Sequence, residues 1–235
     1  MAVATELRDL KYRGRIPVKD GMTLYGIMDE TRYLQEGEVL VITEQKGTPA
    51  TAASLFNGLD VVPSGKQVLV QNNIVITRSP AMHPGDVQLV NAVQAPDGSP
   101  LHRLRNIVVF SQHGRRDLPS QLSGGDLDGD LYNVIYDRRL RPAYTHEAAE
   151  YPRLAPAELD RPVTAKDMAQ HMLLFKETDQ LGMLCNVHMQ LADQRALGTN
   201  DPDCVQIAKM ASTAVDFSKT GVAVDMSKLP RYNRN

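Results

Sequence analysis

The stretch QLSGGDLDGDLYNVIYD, residues 121–137, decides how the rest of the chain is read. Asp126, Asp128 and Asp130 alternate with Leu127 and Gly129, behind the pair Gly124 and Gly125. In an extended strand, residues i, i+2 and i+4 face one side, about 6.6 Å apart per two-residue step. Three carboxylates so spaced are too spread for one small ion unless the chain bends. Gly124, Gly125 and Gly129 lack Cβ and permit that bend. Like charges brought together push one another's pKa up, so the cluster is costly unless a cation sits among them. Hard carboxylate oxygens suit Mg²⁺, Mn²⁺ or Ca²⁺, not zinc or copper. Most Asp/Gly runs are solvated turns, but β-forming segments flank this one, NIVVF (106–110) before it and LYNVIY (131–136) after it. A surface turn needs no such flanks.

A calcium loop of the EF-hand type is excluded. Asp126, Asp128 and Asp130 match its first three ligand positions and Asp137 its twelfth, yet that loop requires Gly at position 6 and Glu at position 12. Leu131 stands at position 6 here, and β-formers rather than helices flank the run.

The chain has 235 residues, 42% of them apolar, enough for one large or two small domains with a real core. A formal charge of −2 rules out a uniformly basic nucleic-acid binder, so any such contact must come from local patches. Cys185 and Cys204 make no disulfide framework and read as buried thiols of a reducing compartment. No apolar run reaches the roughly 18 residues that span a membrane, and the first residues lack an apolar signal core. The expectation is an intracellular protein, cytoplasmic or nuclear, with no membrane contact.

Two halves follow from periodicity. RIPV (15–18), TLYGIMD (23–29), GEVLVIT (37–43), KQVLVQ (66–71), NIVITR (73–78), VQLVNAV (87–93), NIVVF and LYNVIY read as strands, with VKDG, PSG, HPGD and PDGSP as turns. So many short strands argue for a barrel or sandwich. Residues 49–59 read as a short helix or a loop. Beyond residue 155 the pattern is helical. Thr164 and Asp167 resemble a capping box with Asp in place of Glu, followed by Met168, Met172 and Phe175 at helical spacing. Leu181, Leu184, Cys185, His188 and Leu191 mark a second helix. Asp201–Pro202 opens a third that carries Cys204, Ile207, Ala208 and Ala211. His188 reads as a satisfied core histidine and the methionines as core filler. Residues 1–137 are thus the β unit, 138–155 a connector and 156–235 a helical segment.

SGGDLDGDLY resembles the catalytic loop of the cellular RNA-dependent RNA polymerases of RNA silencing. GRIPV, TLYGIMDET, GEVLV, ITRSPAMHPGDVQLV, NIVVFSQHG, ADQRA and AVDFSKTGV are similar to successive blocks of that family, in order, from about Tyr12 to about Val222. Within the family the chain has a fungal look. The resemblance implies an α+β fold, a double-psi β-barrel carrying the aspartates and followed by the helical segment. It implies transfer of nucleoside monophosphates from NTPs to an RNA 3′-hydroxyl, templated by single-stranded RNA, with Mg²⁺ (or Mn²⁺) held by Asp126, Asp128 and Asp130. Two-metal chemistry suits that displacement, one ion activating the hydroxyl and the other stabilising the leaving pyrophosphate. TRSPAMH (77–83) is similar to an Arg-x-Pro-x-x-His block of DNA-directed RNA polymerases, which makes Arg78 a ribose or phosphate contact, although it could simply close a turn before Pro80. Arg115 and Arg116 lie in a stretch, 101–116, that also holds Arg103 and Arg105 and no acid. With Arg138, Arg139 and Arg141 they could track RNA phosphates or form a solvated face. Lys219 of DFSKTG is a further candidate for template or product contact, with Asp216 as its partner.

In the family a second barrel, bearing lysines, precedes this one. The chain leaves no room for it and is expected to be a slab of a longer polymerase, inactive alone. Removing Asp130 is expected to abolish catalysis while relieving crowding, so that stability holds or rises. Two other readings stand beside the polymerase: a non-catalytic nucleic-acid-binding fragment of the same fold, and a divalent-ion-binding structural barrel.

Overall fold

The structure is a computed structural model and describes residues 7–8, 10–11, 16, 18–45, 65–151, 154–156 and 158–232. Its strands are β1 (Gly21–Met28), β2 (Glu38–Gln45), β3 (Gly65–Leu69), β4 (Gln71–Arg78), β5 (Val87–Ala92), β6 (Ile107–Phe110) and β7 (Leu131–Ile135). Each falls on a segment read as a strand. The exception is RIPV, where Arg15 and Pro17 lie outside the described residues and Ile16 and Val18 are not in a strand. Residues 49–59 also lie outside them.

The strands pair in the order β3-β2-β5-β4-β7-β1-β6, and β6 pairs back onto β2 to close a six-stranded ring. Closure is antiparallel, with Val39 opposite Phe110 and Val41 opposite Val108. On either side of it lie the two parallel pairs, β1 with β6 and β2 with β5. β3 extends the far end of β2. This is the expected double-psi barrel of an α+β chain.

Period-two alternation sets what faces inward. Val39 and Val41 of β2, Val108 and Phe110 of β6, Ile74 and Ile76 of β4, and Tyr132 and Val134 of β7 fill the interior. The intervening Leu40, Ile42 and Val109 point the other way, into a second cluster with Leu34, Ala95 and Leu101. Apolar residues on both faces explain why β2 and β6 read as continuous hydrophobic runs. Inside, the Phe110 and Tyr132 rings meet edge to face at 4.7 Å. A Cβ at Gly26 would strike the Tyr132 ring and lie 2.8 Å from Phe110 Cε2, so β1 needs glycine there.

The helices are a single turn α1 (Leu118–Gln121), then α2 (Ala165–Thr178), α3 (Leu181–Gln194), α4 (Pro202–Val215) and the short α5 (Phe217–Thr220). Thr164 and Asp167 form the expected capping box, and Pro202 sits in the first turn of α4 behind the Asp201 cap. α3 and α4 bury Leu184, Val187 and Leu191 against Cys204, Ile207, Ala208 and Ala211, with Met82 of the barrel joining them. Both thiols are free, Cys204 buried and Cys185 half-buried.

Two readings need correction. α2 buries none of its residues, and Met168 and Met172 are 66% and 62% exposed. Of its rings, His171 and Phe175 both stack on the Phe217 ring. The core-filler reading holds for Met82 and Met210 but fails for Met168, Met172 and Met189. Helical spacing fixes an apolar face without saying that anything covers it. His188 is buried, and burial lowers its pKa, but its Nε2 has no hydrogen-bond partner. It is a core histidine, not a fully satisfied one.

The connector is pinned to the barrel. Arg116 donates to the Ala149 carbonyl at 2.8 Å, Gln88 to the His146 carbonyl at 3.0 Å, and Tyr151 to Asp86 at 2.5 Å. The backbone at 147–148 lies so close to Gly85 that a Cβ there would sit 2.8 Å from Ala148 Cα.

Candidate active site

The aspartate loop leaves α1 and enters β7. Leu122 is fully buried in the barrel core and anchors the start of the loop. The Gly125 amide turns back to the Pro119 carbonyl, 3.0 Å away. At the far end the Asp130 carbonyl accepts the Gly26 amide of β1 at 3.2 Å. Between these anchors the chain does not run extended. Leu127 has φ +64° and Gly129 φ +119°, both in the left-handed region. The result is the predicted bend: Asp126, Asp128 and Asp130 each offer a carboxylate oxygen within 4.8 Å of the others. Gly125 serves by its size, because a Cβ there would meet the Tyr132 hydroxyl at 2.5 Å and Arg78 Cδ at 3.1 Å. Gly124, with φ +68°, sits against the Tyr151 ring.

Two cations meet the three carboxylates. Arg78, at the end of β4, sets Nη2 2.6 Å from Asp130 Oδ1 and Nη1 3.1 Å from the Ser123 carbonyl. Asp130 Oδ2 accepts the Asp126 amide at 3.0 Å. This carboxylate is only 8% exposed and fully engaged. Against the expected relief of crowding on its removal stands a cost: its loss would strand the Arg78 guanidinium. Lys219 reaches across from α5 and places Nζ 2.9 Å from Asp126 Oδ2 and 3.0 Å from Asp128 Oδ2. Asp216 gives Lys219 only a backbone carbonyl for its amide, so it is not the expected side-chain partner. The hydrogen bond from Lys219 is the foremost cause that holds the Asp126 carboxyl below the usual carboxylate range, and the same contact, with that to Asp128, raises Lys219. Beneath the loop the Tyr132 hydroxyl is buried without a sound hydrogen bond, and burial first, then the Asp130 charge, raise its pKa.

Three other arginines pair within the chain, two of them at the surface. Arg116 donates to Ser120 Oγ, the Ser120 carbonyl and the Ala149 carbonyl. Arg105 grips Glu44 through Nη1 at 2.8 and 3.0 Å, and Arg139 pairs with Asp137 at 2.7 Å. Arg115 is exposed and contributes only its amide, to Glu36 at 3.4 Å.

Sequence reasoning missed Asp86. Its carboxylate is buried, takes the Met82 and His83 amides on Oδ2 at 3.0 and 2.9 Å, and takes the Ser123 amide and Tyr151 hydroxyl on Oδ1 at 3.1 and 2.5 Å. It fastens the aspartate loop to the barrel and the connector to both. The signal lay in HPGD, read only as a turn. A cleft of about 320 Å³ opens between this loop and α4–α5, lined among others by Arg78, Ser123, Asp126, Tyr151, Ser212 and Lys219.

The donor set fits a hard divalent ion. It consists of carboxylate oxygens alone, they converge, and a lysine ammonium already lies between two of them as a stand-in cation.

The sequence profile of the family described as "RNA dependent RNA polymerase" matches residues 1–235. The chain belongs to that family. This polymerase-family chain is 35% identical over 227 residues to "Probable RNA-dependent RNA polymerase 2" of Oryza sativa subsp. japonica, covering 96% of itself and 19% of the relative. It is 34% identical over 220 residues to "RNA-dependent RNA polymerase 1" of Arabidopsis thaliana, with 94% and 18% covered. With "RNA-dependent RNA polymerase 1" of Schizosaccharomyces pombe it shares 31% over 233 residues, again 94% and 18%. The chain spans about a fifth of the length of these curated relatives. Among solved structures, "RNA dependent RNA polymerase QDE-1 from Thielavia terrestris" shares its fold, with TM-score 0.72, 24% identity, and 95% of this chain and 25% of that one covered.

Proposed function

We propose that this chain is the catalytic barrel of an RNA-directed RNA polymerase of RNA silencing, adding nucleoside monophosphates from NTPs to an RNA 3′-hydroxyl on a single-stranded RNA template. The observation that carries the reading is the convergence of Asp126, Asp128 and Asp130 within 4.8 Å, with Asp126 lining a cleft, in a chain of this family. These three carboxylates would hold Mg²⁺ or Mn²⁺, which when bound lowers the pKa of an attacking hydroxyl and neutralises charge on a phosphate.

The chain's own residues position and polarise. Arg78 and the Asp126 amide fix Asp130, so that carboxylate needs no reorganisation as charge develops. Arg78 uses two of its five N–H donors on Asp130 and Ser123, which leaves others for a ribose or phosphate oxygen. Gly124, Gly125 and Gly129 keep side chains out of the approach of an RNA end. Lys219 and Arg115 supply cationic contact with nucleotide or RNA phosphates. Arg116, also expected to touch RNA, serves that surface indirectly, by fixing the 116–120 turn and the connector. Residues 1–137 act as the barrel unit, 138–155 as connector and 156–235 as the helical wall of the cleft. A second, lysine-bearing barrel would complete the site, inside the cell and away from membranes. Among the described residues no helix is long and apolar enough to cross one.

The test is a graft. Residues 1–235 replace the matching region of a full-length relative, and Mg²⁺-dependent primer extension is measured with and without Asp130→Ala. Incorporation by the graft, abolished by Asp130→Ala, is the expected result; undiminished activity in the variant refutes the reading. The alternative is a fragment that binds RNA without catalysis, and RNA binding by a graft that never extends a primer would favour it.

A further inference from the structure

The two cations at the aspartate loop are held very differently. Arg78 is 16% exposed and locked between Asp130 and the Ser123 carbonyl. Lys219 is 55% exposed, and its ammonium rests between Asp126 Oδ2 and Asp128 Oδ2 at the end of a flexible four-carbon stem. A divalent ion that coordinates these oxygens would sit about 2.0–2.1 Å from each, and so no more than about 5 Å from the ammonium, which is itself 2.9–3.0 Å from the same atoms. Two cations at that range repel strongly. Only one of the pair can leave. The guanidinium is pinned by a second partner, whereas the ammonium opens onto the cleft that Lys219 itself lines.

We propose that Lys219 is an exchangeable internal counter-ion: a divalent ion entering between Asp126, Asp128 and Asp130 displaces its ammonium, which then stands free in the cleft. The proposal rests on the reading of these aspartates as a divalent-ion site. Before exchange, Lys219 offsets the repulsion that would otherwise open the loop and ties α5 to the barrel. After exchange that tie is gone, the wall formed by α5 is released from the loop, and a positive charge is available for phosphate oxygens. Metal loading and the appearance of a phosphate-seeking cation become one event.

Two measurements on chain 1–235 test this, neither of them activity. The first is Mn²⁺ binding, followed by the free-ion paramagnetic resonance signal, for the wild type, Lys219→Met and Asp128→Asn. Because coupling is reciprocal, Lys219→Met should tighten Mn²⁺ by roughly 5- to 150-fold, while Asp128→Asn should lose the site. The second is acetylation of Lys219 by an amine-reactive ester, read by peptide mass spectrometry against the exposed Lys166 of α2. It should rise several-fold at saturating Mg²⁺. If Mn²⁺ binds and is lost in Asp128→Asn, but either Lys219 readout stays flat, the exchange is overturned and the metal site stands. If neither wild type nor Lys219→Met binds Mn²⁺, the site reading falls and the exchange falls with it.

Discussion

Asp86 and Tyr151 lie 65 residues apart and share a 2.5 Å hydrogen bond, on the same carboxylate oxygen that takes the Ser123 amide at the start of the aspartate loop. A buried carboxylate with four donors is expensive to disturb. Asp86→Ala should lower stability by at least about 3 kcal/mol, and Tyr151→Phe by about 1.5–3 kcal/mol, the range for a hydrogen bond to a charged group. Urea unfolding measures both. Loss of well under 1 kcal/mol in Asp86→Ala would remove its role as the fastening of the loop.

The same bond sets an alkaline limit. Burial, then the hydrogen bond to Asp86, raise the Tyr151 phenol well above its ordinary value. A group whose pKa is raised on folding contributes stability in full below its unfolded pKa, about 10 for tyrosine, and loses it as pH climbs toward the folded value. Stability should therefore hold to about pH 10 and then decline. Tyr151→Phe, less stable at neutral pH, should show a shallower decline. Parallel pH profiles for the two proteins would contradict this.

Asp130→Ala should destabilise the chain. The change removes the partner of a mostly buried guanidinium and the acceptor of the Asp126 amide, and breaking a buried pair costs about 3–5 kcal/mol when the remaining charge is fully buried. Partial exposure of Arg78 puts the expectation lower, at about 1–3 kcal/mol. Equal or higher melting temperature would show that crowding among the carboxylates dominates after all.

Gly26→Ala should cost about 1–3 kcal/mol as an overpacking change inside the barrel. Combining it with Tyr132→Leu should recover part of that cost, giving a coupling energy of about 0.5–3 kcal/mol in a double-mutant cycle. Additive effects would place the strain elsewhere.

Arg115 and Arg116 should separate by salt dependence. If RNA phosphates lie along this surface, Arg115→Ala reduces the slope of log K against log salt by about 1. Arg116→Ala should leave that slope intact and instead lower stability by about 1–3 kcal/mol, because three internal hydrogen bonds go with it. Identical slopes for the two variants would contradict the division.

The strands were legible because side-chain direction alternates, and the bend of the aspartate loop was legible because a cation shared by three carboxylates requires it and the glycines permit it. What stayed hidden has a common cause. Lys219 meets Asp126 and Asp128 across 93 and 91 residues, and no local pattern reports such a distance. An arginine letter does not say whether its guanidinium faces RNA or a neighbouring carbonyl, so Arg116 looked like free surface charge. Asp86 sat inside a turn signal strong enough to explain it without any further role. The apolar stripe of α2 was read correctly as a helix and incorrectly as core, since periodicity records a face and not what covers it.

The ring order has a consequence for how this site comes into being. β1 finds neither of its barrel neighbours until β6 and β7 exist, with Tyr25 opposite both Ile107 and Leu131. Pairings so distant in sequence form late and slowly. On a ribosome the first strand would wait for more than a hundred residues before its edges are satisfied, exposed meanwhile to aggregation and to chaperones. β7 begins directly after Asp130, so the strand that completes the barrel also draws the carboxylates together. A nascent or truncated chain lacking it would hold the aspartates only as a loose acidic segment: convergence of the carboxylates and completion of the barrel are the same step.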